Sequence, residues 1–368
     1  MDYQTDGFGS DYAHPRFVAM LLRLGDLLDA DNGRFSKTNT MAIGVLPDSS
    51  VAHKDNFGEI KNVKEDYHDY LTDIMHCMNS NARKTASYKY VFFKSLLDNL
   101  FNVNEKLEMS FDDLSRDFSI IYWNIIAKYK LPQYQNGGQS KMEKYVYQFI
   151  SSDEKIDEVD FYSLKEDIQE EYLKVTKNVI NINVVGALYS DFNEVIYGFD
   201  KKRKVIWFNA NTYRFLTEYK SSLEKLNYYS WILWIENILR IRDEEASNLA
   251  TKLECSNKRK SLERFKDELK LKGDEEKCFY CGSKIIVCNC HLDHFIPWSF
   301  VHDDKIWNLV YSCSSCNTSK NDRIPNKQFL LKIQSRNKSL LNNSYEQELN
   351  RLYNAALHNG FAYWEKRD

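Results

Sequence analysis

Two Cys-x-x-Cys pairs constrain this chain more than any other feature in it. They are Cys278-Phe-Tyr-Cys281 and Cys313-Ser-Ser-Cys316, with 31 residues between Cys281 and Cys313. Paired knuckles at that separation are what a short stretch uses to close a tetrahedral four-thiolate zinc site. Four buried thiols without metal are the duller reading, and the repeated spacing argues against it. Between and just after the knuckles lies a run of reactive chemistry: His291-Leu-Asp293-His294-Phe-Ile-Pro297, then Asn308 before Leu-Val, then Asn317 next to Cys316.

These residue types suit phosphodiester hydrolysis, which needs a base for water, a cation for developing charge, and in-line positioning. His294 is the candidate base, because a neutral imidazole accepts a proton near pH 7. Asp293 and the Asn317 side-chain carbonyl are hard oxygen ligands, suited to Mg²⁺ or Mn²⁺ rather than zinc. Asn is also a favoured helix cap, so Asn317 has a structural alternative. Asn308 cannot serve as a base, and we expect it to pin the loop so that His294 stays aimed. Lys320 and Arg323 follow closely and are candidates for phosphate contact, as is the run Lys258-Arg259-Lys260 upstream. His291 shares a strand face with Asp293 by alternation. Cys288 and Cys290 are read as small buried residues, with zinc ligation as the rival reading.

Residues 278–323 resemble the HNH endonuclease family. The match runs through the first knuckle, Asp293-His294 with Pro297, Asn308, the second knuckle and Asn317. The third letter of the family name is usually His, and Asn stands at that position here. The resemblance implies a ββα-metal core of two strands and a helix around one divalent ion. It further implies a first strand leaving the zinc knuckle, a second ending at Asp-His, and a DNA cut with 5′-phosphate and 3′-hydroxyl ends. RNA remains an alternative substrate. Tyr12–Arg34 resembles a piece of an HD-type phosphohydrolase, in the pattern Leu24-Gly-Asp26-Leu-Leu-Asp29. No His-Asp dipeptide is expected anywhere in the chain to complete such a site, so this segment is expected to be a docking or vestigial helix.

The rest of the chain sets limits. A hydrophobic content of 43% with 14% aromatics supplies a sizeable core and excludes a disordered chain. No apolar run reaches membrane-spanning length, and the N-terminus lacks a secretory pattern. Six of eight cysteines fall near the knuckles, which suits a reducing cytoplasm and metal binding rather than disulfides. Net charge is −3, but Lys258–Lys338 carries 16 Lys and Arg against 10 Asp and Glu, a local +6 that leaves the remainder at −9. Such asymmetry fits one module touching phosphates.

Hydrophobic periodicity predicts helices over 87–130, 140–180 and 222–253, the second segment of the first opened by a Ser110 cap. The stripe of Trp231, Trp234, Ile235, Ile238 and Leu239 reads as core or dimer contact. Val195–Phe199 and Val205–Phe208 read as a β-hairpin with a basic tip. The expected architecture is α+β and mostly α-helical. It comprises an N-terminal segment 1–60, a helical domain 61–256 with one hairpin near 195–208, a zinc-stapled HNH module 257–338 and a terminal helix 339–368. The function expected is a metal-dependent endonuclease in bacterial restriction or anti-phage defence. Two alternatives stand beside it: a catalytically silent nucleic-acid binding module, and a toxin-like nuclease controlled by a regulatory protein partner through residues 1–60.

Overall fold

The computed structural model describes residues 64–78, 86–135, 138–242, 248–257, 260–271, 277–285 and 290–365. The chain divides into two compact units, Met1–Tyr67 and His68–Asp368. Helix α1 (Lys64–Met78) runs across that boundary. The HD-like stretch Tyr12–Arg34 lies outside the described residues. No described helix is long and apolar enough to cross a membrane.

The second unit begins as a helical body: α2 (Tyr88–Asp98), α3 (Phe111–Trp123), α4 (Lys141–Ser152), α5 (Glu166–Val179), α6 (Val185–Asp191), α7 (Ala210–Glu218) and α8 (Lys220–Arg242). Helix α2 is buried from Tyr90 through Asp98. A helix buried on every side must lie inside the body rather than on it. The Ser110 hydroxyl accepts from the Asp113 backbone N–H at 3.1 Å, so the predicted cap starts α3. At α4, Ser140 and Glu143 form a reciprocal capping box. The stripe on α8 is core: Trp231 is fully buried and stacks on Tyr90 with ring centroids 5.9 Å apart.

Two local predictions need correction. The helix expected over 222–253 is interrupted at Asn248, whose φ of +58° is left-handed, and a short α9 (Leu249–Glu254) follows it. A hairpin forms at β2 (Gly198–Asp200) and β3 (Val205–Trp207), its first strand starting three residues later than the expected Val195–Phe199, and β1 (Glu108–Ser110) adds a third antiparallel strand in the order β1-β3-β2.

After α10 (Glu263–Leu271) the chain enters the cysteine-rich module. Strand β4 (Cys290–His294) pairs antiparallel with β5 (Leu309–Cys313), and α12 (Ser314–Lys320) follows directly. The short α11 (Trp298–Val301) lies in the connecting loop. This is the expected ββα unit, with one change of order. Asp293-His294 ends the first strand of the pair, whereas we expected the second. Near the first knuckle, the described pairing is a single bridge, Lys277 to Lys284.

The C-terminal part closes over this unit. It comprises β6 (Ile324–Pro325), α13 (Lys327–Leu341), α14 (Glu346–His358) and β7 (Tyr363–Trp364), the last pairing parallel with β6. Leu349, Leu352, Tyr353, Ala356 and Trp364 share one buried cluster with Phe279, Tyr280, Phe295 and Leu309. Arg336 donates to the Leu309 carbonyl at 2.6 Å, and Asn337 to the Trp307 carbonyl at 2.9 Å. A ββα unit has too little apolar surface to bury by itself. Helices α13 and α14 supply the rest.

Candidate active site

The four cysteines Cys278, Cys281, Cys313 and Cys316 come together, with all sulfur atoms within 4.8 Å of one another. The β4–β5 register delivers the second knuckle to the first, and the Phe279 N–H donates to the Tyr311 carbonyl at 2.8 Å. Gly282, at φ +72°, makes the tight turn of the first knuckle without a Cβ penalty, and its N–H donates to the Cys278 carbonyl at 2.8 Å. Tetrahedral zinc at about 2.3 Å from each thiolate needs sulfurs a little under 4 Å apart. Cys281 and Cys313 sulfurs lie 3.9 Å apart, so the donor set fits zinc. Burial pushes the Cys278 and Cys316 thiols up. At Cys281 burial also pushes upward, but hydrogen bonds from the Ser283 hydroxyl and backbone prevail and lower it to about 6. Metal binding here must therefore displace protons from at least the two raised thiols.

Beside this cluster lies an open cleft of about 660 Å³, lined by Asp293, His294, Pro297, Trp298, Asn317 and Lys320 among others. Strand β4 supplies Asp293 and His294, and α12 supplies Asn317 and Lys320. A carboxylate and an amide oxygen facing one cleft make a donor set that suits a hard divalent cation. Asp293 is held from two sides. The Tyr280 hydroxyl donates to its Oδ2 at 2.5 Å, and Lys320 Nζ lies 3.2 Å from Oδ1 and 3.1 Å from Oδ2. Burial and the neighbouring Asp293 charge hold the Tyr280 phenol well above its ordinary range, so it stays a donor.

Lys320 itself is 1% exposed and also donates to the His294 carbonyl at 2.8 Å. The structure thus gives this lysine internal oxygen partners, where the sequence suggested phosphate. Arg323 donates to the Ser319 and Lys320 carbonyls, at the end of α12. Lys260 is exposed, with its ammonium 5.5 Å from the Tyr162 ring centroid. Lys258 and Arg259 lie outside the described residues, as does Cys288. Cys290 opens β4, its backbone paired with Cys313. His291 is exposed and does not line the cleft.

His294 is 3% exposed, and its Nε2 lies 2.8 Å from Asp304 Oδ1. Asn308 is 1% exposed and bridges the loop: its Oδ1 accepts from the Ile296 N–H at 2.8 Å, and its Nδ2 donates to the Ile296 carbonyl at 2.9 Å. Sequence reasoning passed over Tyr280 and Asp304. Both belong to the carboxylate and phenol types that hold catalytic groups, but neither stands at a motif position.

A second group of potential ligands, Asp98, Glu224 and His302, lies where the helical body meets the module. Lys94 pairs with Asp98, and Lys220 Nζ lies 2.6 Å from Glu224. Asn257 donates to Asp98 at 2.6 Å, and His302 Nε2 lies 3.3 Å from Asp98. Burial first, then the Lys94 and Lys220 charges, holds the His302 imidazole well below its ordinary pKa. With His302 neutral, two ammonium groups balance two carboxylates, and the cluster is charge-complete from the chain alone.

Residues 278–326 match the family model described as HNH endonuclease, and residues 2–97 match one described as HD-CE. The second match contains the Tyr12–Arg34 stretch and extends well past it. It also contains His68-Asp69, and His302-Asp303 lies further on, which corrects the expectation that the chain has no His-Asp pair. No curated protein and no solved structure matches the chain.

Proposed function

We propose, from the HNH endonuclease match over residues 278–326, that this protein is a metal-dependent endonuclease hydrolysing DNA phosphodiester bonds. The observation that carries the proposal is that Asp293, His294 and Asn317 line one open cleft beside a four-cysteine cluster. His294 takes the proton from the attacking water as general base. Asp293 and Asn317 would hold Mg²⁺ or Mn²⁺, which would supply charge stabilisation to the phosphate oxygens. Tyr280 and Lys320 fix the orientation of that carboxylate. Asn308 fixes the backbone immediately after the base, and the cysteine site with zinc fixes the strand and helix that carry the donors.

We further propose a role in bacterial restriction or anti-phage defence. The support is the presence, in one chain, of a match to an HNH endonuclease model and a match to an HD-CE model that reaches into the helical body. Incubating plasmid with the full-length protein and Mg²⁺ or Mn²⁺ should give nicked or linear DNA, and His294→Ala should give neither. Equal inertness of both proteins on DNA and RNA would instead favour a silent binding module. Protection of cells from phage that is lost with His294→Ala would support the defence role.

A further inference from the structure

Asn308 fixes the backbone that follows His294, but no motif residue has been assigned to the orientation of its imidazole ring. Resting on the nuclease reading above, we propose that Asp304 is the positioning residue for His294, setting which ring nitrogen carries the proton. Asp304 Oδ1 lies 2.8 Å from His294 Nε2, and the two side chains are 15% and 3% exposed. A neutral imidazole facing a carboxylate at that distance donates from the facing nitrogen. The proton therefore sits on Nε2, and the acceptor lone pair is directed from Nδ1. His294 lines the cleft whereas Asp304 does not, so the carboxylate holds the ring from outside the reaction space.

The loop carrying Asp304 is fixed at both ends, which a carboxylate needs if it is to orient rather than follow. Upstream, His302 is anchored in the buried cluster of Asp98, Glu224, Lys94 and Lys220 on α2 and α8. Downstream, the Asn308 N–H donates to the Lys305 carbonyl at 2.8 Å, and the Asn308 amide is tied to Ile296. Lys305 pairs with Asp303 at 2.9 Å on the outer side of the loop. The helical body thus contributes to the geometry of the base through a residue two positions from Asp304.

The test uses the full chain and Asp304→Ala beside Asp304→Asn. Zinc content and melting temperature establish that each variant is folded. On plasmid with Mg²⁺, kcat should fall by about 100-fold while KM stays within about threefold, because the base is misaligned and DNA binding is not. Long-range ¹H–¹⁵N imidazole spectra, with His294 assigned by the loss of its signals in His294→Ala, should show a single Nε2–H tautomer in the wild type. In Asp304→Ala they should show a mixture. Wild-type kcat in a folded variant, or an unchanged Nε2–H tautomer in Asp304→Ala, overturns the proposal. If the wild type cuts no nucleic acid at all, the nuclease reading fails, and the tautomer comparison still decides the role of Asp304.

Discussion

Replacing Asn308 by Ala isolates the loop clamp from the chemistry. In the folded chain this side chain makes two hydrogen bonds to one residue, at 2.8 Å from the Ile296 N–H and 2.9 Å to the Ile296 carbonyl. Alanine leaves both of those groups buried and unpaired, since Asn308 is 1% exposed and Ile296 fully buried. Each unmet backbone group costs about 1–3 kcal/mol, and entering water relieves part of the sum, giving about 2–4 kcal/mol for the pair. In a unit of this size that corresponds to a melting temperature lower by about 3–6 °C. Asn308→Asp is the informative companion. One carboxylate oxygen still accepts from the Ile296 N–H, but the other faces the Ile296 carbonyl with no proton to give. Its loss should therefore match that of Ala. Thermal melts by circular dichroism read the stability, and plasmid cutting read in parallel should fall in both variants, because Ile296 is two residues from His294. Melting within about 1 °C of wild type in both variants would refute the clamp.

Three further outcomes follow. Cys278→Ser or Cys313→Ser should lose zinc and unfold the module together, measured by metal analysis and melting; full zinc and an unchanged melt would remove the ligand assignment. Lys320→Met leaves the Asp293 carboxylate without its buried cation and should cost about 3 kcal/mol, most of it recovered in the double variant with Asp293→Asn. A double-mutant cycle showing no coupling would refute that pairing. His302 is held below its ordinary pKa when folded, so below about pH 6.5 the unfolded chain binds the extra proton and the folded chain does not. Stability is therefore full above that pH and declines as pH falls, and His302→Gln should flatten the decline in urea titrations between about pH 7.5 and 5.

The cysteine spacing, Asp293-His294, Asn308 and Asn317 were legible because each is a reactive residue type at a fixed interval from a knuckle. The Ser110 cap and the Trp231 stripe were legible because capping and helical period are local properties. What escaped was non-local. Strand β1 is three residues long, and its reason for being extended is a partner strand about a hundred residues away. Asp304 reads in sequence as one of two acids in a surface loop, and only the folded loop places it against His294. Lys320 looks like a phosphate contact by position and charge, until α12 turns it inward onto Asp293. The His68-Asp69 pair is a feature of the sequence itself.

Helix α2 has a consequence for anyone who would take this protein apart. The HD-CE match ends at residue 97, one position short of the end of α2, and that helix holds Val91, Phe92, Phe93, Leu96 and Leu97 in full burial. Scissors placed at the edge of the match would excise a wall of the second unit along with the Lys94 cation that keeps Asp98 neutralised. A fragment meant to keep the second unit's core intact must therefore begin upstream of Tyr88.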